Sequence, residues 1–399
     1  MTMFDRLGAL LDRRRVLAYA AILLAAEIAV SGYFVAASHG LLWPNTTPVT
    51  TDFVSFYAAG TLTNDGTPQL AYHKEEHFRA EQRVREPGIE YNYFYYPPVF
   101  LLLCALLARL PYIAAFLVFE GLTATLYLWV MTRILDDASW AAIVAVVAFP
   151  VVFWNFGWGQ NGFLTAALFG AGTLLLERRP ILAGVCFGAV CYKPHFGLLI
   201  PIALASGRHW RAFAAAAVSS TGLVMLSLAA FGVATWRDFL SSALVSPTTY
   251  ETGGAKFTAF ATPFGATMLV AGNLTLAYAI QAVVTLAMIG LVISIWRRRS
   301  SLPACAAILA SATLVALPLA LFYDLLLAGV AVAWLHRSEP GLLPAERLVL
   351  AACYLGLLDP VEIARHTHVP VAAMAALAVL AIAVRHAFHE AGTLRNRTA

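Results

Sequence analysis

Residues 13–36 read RRRVLAYAAILLAAEIAVSGYFVA: three arginines, then an apolar run whose one acid is Glu27. A helix of about 20 apolar residues crosses a hydrocarbon core of about 30 Å, and the arginines hold its start on the cytoplasmic side. The run is too long for a signal-peptide core, so it reads as a retained first helix. The rest of the chain repeats the signal. Of 399 residues, 60% are hydrophobic and 12% charged, with a mean hydropathy of +0.75. Soluble domains run at about 45–50% apolar and about 25% charged. The expectation is an all-α polytopic membrane protein, one integral-membrane domain over 1–399. Backbone groups in lipid must pair within the segment, which selects helices, and the alternation of an outer-membrane barrel is absent. The net charge of +4 fits basic cytoplasmic loops rather than a nucleic-acid partner. Cys104, Cys186, Cys191, Cys305 and Cys353 all lie in apolar runs, without metal or disulfide spacing, and read as small core residues.

Apolar segments fall at 16–36, 97–110, 112–132, 139–156, 160–177, 180–193, 196–207, 211–230, 274–296, 302–322, 324–336, 344–358 and 369–386. Several are shorter than a straight span requires. Arg13–Arg15, Arg178, Arg179, Arg208, Arg211, Arg297–Arg299, Arg337, Arg385 and Arg395 mark the cytoplasmic side. Loop 37–96 and the turns at 157–162, 193–195, 231–262 and 359–368 are then outside. Four apolar segments separate loop 37–96 from Arg178, and only an odd number of crossings brings the chain back in. Segment 97–110, which opens on Pro97-Pro98, is the short one. It reads as a re-entrant or interfacial helix, leaving twelve crossings with both ends of the sequence inside.

Loop 37–96 is too long for a simple connector. Thr67-Pro68 has the form of an N-cap followed by proline at the first helical position. AYHKEEHFRAEQRVRE (71–86) then reads as a surface helix, with Glu75/Arg79 and Glu81/Arg85 at i,i+4. Its charges suit a solvated face. The aromatic run YNYFYYPP (91–98) follows.

Four polar clusters share the outer face: Asp52 with Tyr57, Gln160-Asn161, Lys193 with His195, and Tyr323-Asp324. Polar residues at membrane depth are costly and usually line a cavity or site. Each also has a plainer use. Asp52 suits an N-cap, Gln160-Asn161 a turn, Lys193 snorkelling to an interface, and Asp324 a cap for the helix after it. Together they form a parts list for glycosyl transfer. A carboxylate can take a proton from a hydroxyl, lysine and histidine can hold a phosphate as it leaves, and amides and tyrosines can read sugar hydroxyls.

The ordered set DFVSFYAAG (52–60), YYPP (95–98), GQNG (159–162) followed by an apolar helix and RRP (178–180), YKPH (192–195) and FYDL (322–325) resembles glycosyltransferase family 87, over residues 50 to 330. These are membrane enzymes of the GT-C class and include mannosyltransferases. The resemblance implies a GT-C-like bundle in a bacterial-type inner membrane, with the active site facing the periplasm. It implies transfer of a hexose, mannose favoured, from a polyprenyl-phosphate donor to a lipid or glycan acceptor, with inversion. The catalytic base falls on Asp52, the donor phosphate on Lys193 and His195, and the remaining substrate contacts on Tyr57, Tyr96, Gln160, Asn161, Tyr323 and Asp324. No cofactor is called for, and a metal is not demanded: the acidic pair Asp136-Asp137 lies inside in this topology.

The rival reading is a multi-pass transporter using Glu27 and Glu120, which fall in the middle of apolar segments. Neither an internal repeat nor a matched pair of broken helices, the usual transporter signature, stands out. A non-catalytic membrane scaffold is the third reading.

Overall fold

The computed structural model describes residues 8, 11–37, 52–84, 89–251, 256–298, 300–338 and 341–398. Among the described residues the regular elements are helical, and the β contact is an isolated antiparallel bridge between Phe260 and Leu321. The α-helices run α1 (Arg13–Ala37), α2 (Phe53–Asn64), α3 (Lys74–Val84), α4 (Pro98–Leu107), α5 (Tyr112–Leu135), α6 (Trp140–Val147) and α7 (Pro150–Trp158). They continue with α8 (Gly162–Leu175), α9 (Pro180–Ala189), α10 (Ile200–Ser206), α11 (Trp210–Glu251), α12 (Pro263–Ala271) and α13 (Leu274–Arg297). The last are α14 (Leu302–Ala316), α15 (Leu326–His336), α16 (Pro344–Gly356), α17 (Pro360–Thr367) and α18 (Val371–Thr398).

Among the described residues, five stretches are long and apolar enough to cross a membrane: Arg14–Ala37, Tyr112–Leu135, Trp210–Leu244, Leu274–Arg297 and Val371–Glu390. Together α6 and α7 would make a sixth, bent by 58° at their junction. Pro150 opens α7 and Phe149 before it is extended. Proline lacks the N–H that would continue the ladder and pushes its predecessor out of helical geometry. The apolar run 139–156 is therefore two helices rather than one. Shorter apolar helices, α4, α8 and α14 among them, lie between these stretches in the sequence. At 1.5 Å per residue, the 10 residues of α4 cover about 15 Å, half of a bilayer core.

Two expectations about the outer segments change. The 231–262 stretch is not a turn throughout: α11 runs on to Glu251 past a non-helical Gly232 (φ 78°, ψ 169°). Beyond that break it packs on the first loop, with Asp238 Oδ2 3.0 Å from His73 Nε2 and Phe239 against Tyr72. In α3 the Glu75–Arg79 pair is exposed as expected, at 3.5 Å. Glu81, however, is wholly buried with His77; Arg85, its expected partner, lies outside the described residues. The sequence from Pro68 to Tyr72 is a 3-10 helix, and Thr67 at its head turns its hydroxyl back to the Leu62 carbonyl.

An aromatic core fixes α2 against α4. Phe53 and Phe56 are buried, Phe56 meets Phe100 edge-on at 5.0 Å and Tyr96 at 5.2 Å, and Phe100 stacks on Tyr192 at 5.1 Å. Such pairs contribute about 0.5–1.5 kcal/mol each beyond area burial. The helices close to backbone contact at Gly60, where a Cβ would sit 2.1 Å from the Cys104 carbonyl oxygen. This packing sets the start of α2, and with it Asp52, against the turn between α7 and α8.

Candidate active site

That turn is Gly159-Gln160-Asn161. Gly159 ends α7 in the left-handed region, at φ 66°, which glycine enters without the Cβ penalty. A side chain there would also meet Phe53, since its Cβ would lie 2.7 Å from the Phe53 Cβ. Asn155, buried one turn earlier, staples the reversal. Its Nδ2 donates to the Gln160 carbonyl at 2.9 Å and its Oδ1 accepts from Gly162 N–H at 2.9 Å.

Asp52 is bound to this turn twice. Its N–H donates to the Trp158 carbonyl at 2.7 Å, and its Oδ2 accepts from Gln160 Nε2. It stands at the N-cap position of α2 but makes no side-chain cap hydrogen bond. Ser139, Thr262, Asn273, Ser301 and Asp359 do cap their helices. The plainer use of Asp52 is thus set aside. Burial raises its carboxyl to about 6, against the lowering effect of the Gln160 bond. Its Oδ1 takes no hydrogen bond from the described residues.

From Gln160 a polar chain runs inward. Gln160 Oε1 accepts from the Tyr96 hydroxyl and from Asn161 N–H, each at 3.4 Å. Asn161 Oδ1 accepts from Lys193 Nζ at 3.2 Å, and Lys193 Nζ lies 2.6 Å from Asp324 Oδ1. Two 3-10 turns, Val190–Tyr192 and Pro194–Gly197, aim Lys193 inward. Only 5% of Lys193 is exposed, so it does not snorkel. Its ammonium also lies 4.6 Å from the Phe196 ring centroid and 5.8 Å from that of Tyr323. Asp324 keeps a capping role as well, for its Oδ2 accepts from Leu321 N–H at 3.0 Å.

Asp52, Tyr96, Gln160, Asn161, Lys193, Tyr323 and Asp324 are therefore gathered in one place. Two others are not tied in. The Tyr57 hydroxyl donates to the Leu110 carbonyl at 2.8 Å, and its ring lines an open cavity of about 330 Å³ with Arg83 and Tyr112. His195 packs on Phe196 at 5.0 Å. Burial and the Lys193 charge lower its imidazole to about 3, so it is neutral near pH 7. Asn155 and Tyr192 went unread in the sequence. The Tyr192 hydroxyl shares a 2.6 Å hydrogen bond with Thr165 and reaches the Asn161 carbonyl at 3.3 Å. The signal available for Asn155 was an amide within an apolar helix, five residues before Gln160. Glu120 is buried, with Oε2 accepting from Asn155 Nδ2 at 3.4 Å. Glu27 stands on the peripheral α1, within electrostatic reach of Tyr354, so the two acids of the transporter reading have different surroundings.

A helical membrane protein with one partly buried carboxylate facing a set of amides, tyrosines and a buried lysine has the makings of a group-transfer enzyme. The model of glycosyltransferase family 87 matches residues 94–321, more than half of the chain, and the chain belongs to that family of glycosyltransferases. No curated protein and no solved structure matches it. The matched span holds Tyr96, Gln160, Asn161, Lys193 and His195; Asp52 and Tyr57 precede it, and Tyr323 and Asp324 follow it.

Proposed function

We propose that this glycosyltransferase moves a hexose, mannose favoured, from a polyprenyl-phosphate donor to a lipid or glycan acceptor at the outer face of the membrane, with Asp52 as general base. The observation that carries the reading is the Asp52 carboxylate. It is held through Oδ2 by Gln160, its Oδ1 has no hydrogen-bond partner among the described residues, and its side chain does not cap its own helix. In this reading the acceptor O–H gives its proton to Asp52 Oδ1. The acceptor oxygen attacks the anomeric carbon from the side opposite the phosphate. The bond from anomeric carbon to phosphate oxygen breaks, its electron pair leaves on the phosphate, and the configuration inverts.

Lys193 supplies positive charge to the departing phosphate. Asp324 keeps that charge in a water-poor place before the donor arrives, and a phosphate must share Lys193 with it. His195, neutral and half-buried, contributes a hydrogen bond rather than charge. Tyr96, Gln160, Asn161 and Tyr323 contact the sugar, and Tyr57 with its open cavity belongs to the acceptor side.

The architecture that goes with this is a GT-C-like bundle of twelve crossings in a bacterial-type inner membrane. Loop 37–96 faces the periplasm and 97–110 is re-entrant, in keeping with the length of α4. The test is incubation of purified protein with a panel of radiolabelled polyprenyl-phosphate sugars and membrane-lipid acceptors. Transfer with inverted anomeric configuration is expected. Transfer only from nucleotide sugars, or retention of configuration, would refute it.

A further inference from the structure

Behind the Asp52 turn, α3 buries two titratable residues that the reaction above does not use. His77 and Glu81 stand at i,i+4 and both are 0% exposed. The His77 Nε2 atom lies 3.1 Å from the Ser55 carbonyl oxygen. A carbonyl can only accept, so Nε2 carries the proton, and in a neutral ring Nδ1 is left as an acceptor. That Nδ1 faces Glu81 Oε1 at 3.7 Å, and neither atom has a hydrogen-bond partner among the described residues. Glu81 Oε2 is already satisfied by the Asn92 N–H at 3.2 Å. Two bare acceptors facing each other in a dry space repel. One proton between them removes the repulsion and joins them.

We propose that Glu81 and His77 are a positioning pair for the Asp52 turn, with Glu81 neutral and its carboxyl proton directed at His77 Nδ1. The chain then runs from the Glu81 hydroxyl to His77 Nδ1, and from Nε2–H to the Ser55 carbonyl. Ser55 in turn donates its N–H to the Asp52 carbonyl at 3.1 Å, so the pair braces the turn that carries the base. Neutrality has a second effect: it keeps a second negative charge away from Asp52. Burial supports the assignment, raising the Glu81 carboxyl to about 8 and lowering the His77 imidazole to about 4. Among the described residues, the other charged or titratable groups that act on the pair are Asp52 at the head of α2 and Tyr91 from the segment after α3, with Lys74 5.7 Å above the Tyr91 ring. The proposal rests on Asp52 being the base only for its effect on turnover. Its effect on stability is independent of that reading.

The sign follows from the raised carboxyl. Stability held by neutral Glu81 is present at low pH and is lost as pH rises through about 8. Ionised Glu81 has no proton to give His77 Nδ1, so the brace on the Asp52 turn is lost and turnover falls as pH rises through about 8. Glu81→Gln cannot ionise, and its amide can still donate to Nδ1. The expected result is loss of the alkaline limb in both the kcat–pH and Tm–pH profiles, with the acid limb kept. His77→Ala should lower kcat with KM unchanged, and His77→Gln, which retains one donor and one acceptor, should restore it. An alkaline limb in Glu81→Gln identical to that of wild type would overturn the pair, as would wild-type kcat in His77→Ala. If Glu81→Gln does not fold, the two His77 variants decide. A fully active Asp52→Asn would remove the base reading alone, and the Tm–pH comparison would still judge the pair.

Discussion

Lys193 Nζ lies 2.6 Å from Asp324 Oδ1, and both side chains are buried. The pair ties the 190–197 turns to the 322–325 turn across 131 residues. Removing one partner leaves an uncompensated charge in a dry place, a loss of about 3–5 kcal/mol. Lys193→Met and Asp324→Leu should therefore each lower the melting temperature. A double variant, Lys193→Met with Asp324→Leu, should recover much of that loss while remaining inactive. Additive destabilisation in this double-mutant cycle would show that the contact does not couple the two turns. Donor binding to Lys193→Ala, compared with acceptor binding, reads the role of the lysine toward phosphate; weakening of donor binding alone is expected.

Asp52→Asn keeps the size of the side chain and removes the proton acceptor. General-base catalysis is typically worth about 10²–10⁴-fold, so turnover should fall at least about a hundredfold. Asp52 does not cap α2 through its side chain and Asn cannot ionise, so the melting temperature should not fall below that of wild type. Near-normal sugar transfer by the purified variant would end the assignment of this residue as base.

The acid limb of the pH–rate profile should fall at about 6, where Asp52 takes up its proton. The raised carboxyl means that its ionisation costs stability, so the associated stability is highest at low pH and declines as pH rises through 6. Gln160 is the donor that opposes the shift. Gln160→Leu removes a hydrogen bond to a charged group, worth about 1.5–3 kcal/mol. It should move the acid limb upward by about one to two pH units. A limb that stays at 6 in this variant would mean that it belongs to a group other than Asp52.

Topology can be tested at the turn between α4 and α5. If 97–110 is re-entrant, a cysteine placed at Arg109 reacts with an impermeant reagent from the outer side, in a background lacking the five native cysteines. Labelling only from the cytoplasm would require α4 to cross.

Much of this protein follows from the chain alone. Apolar runs such as 13–36 are too long and too hydrophobic for water, so the sequence by itself determines a helical membrane protein. The resemblance to glycosyltransferase family 87 agrees with the family match over residues 94–321. The sequence also marks Asp52, Gln160, Asn161, Lys193 and Asp324 as polar groups in apolar surroundings, where each needs a partner. Which partner each takes is a matter of tertiary packing. Lys193 and Asp324 are 131 residues apart, and nothing local in either segment directs one to the other. The same holds for Gln160 and Asp52, joined because α2 closes on α4 at Gly60 and on the α7–α8 turn at Gly159. Glu81 shows the converse: on its helix the charge pattern suits a solvated face, and only the packing of α3 on α2 turns it inward. Hydropathy and spacing act along the chain, whereas burial and hydrogen-bond partnership are set by elements distant in sequence. The class of the molecule was therefore written in its composition, and the chain of contacts from Asp52 to Asp324 was decided by the fold.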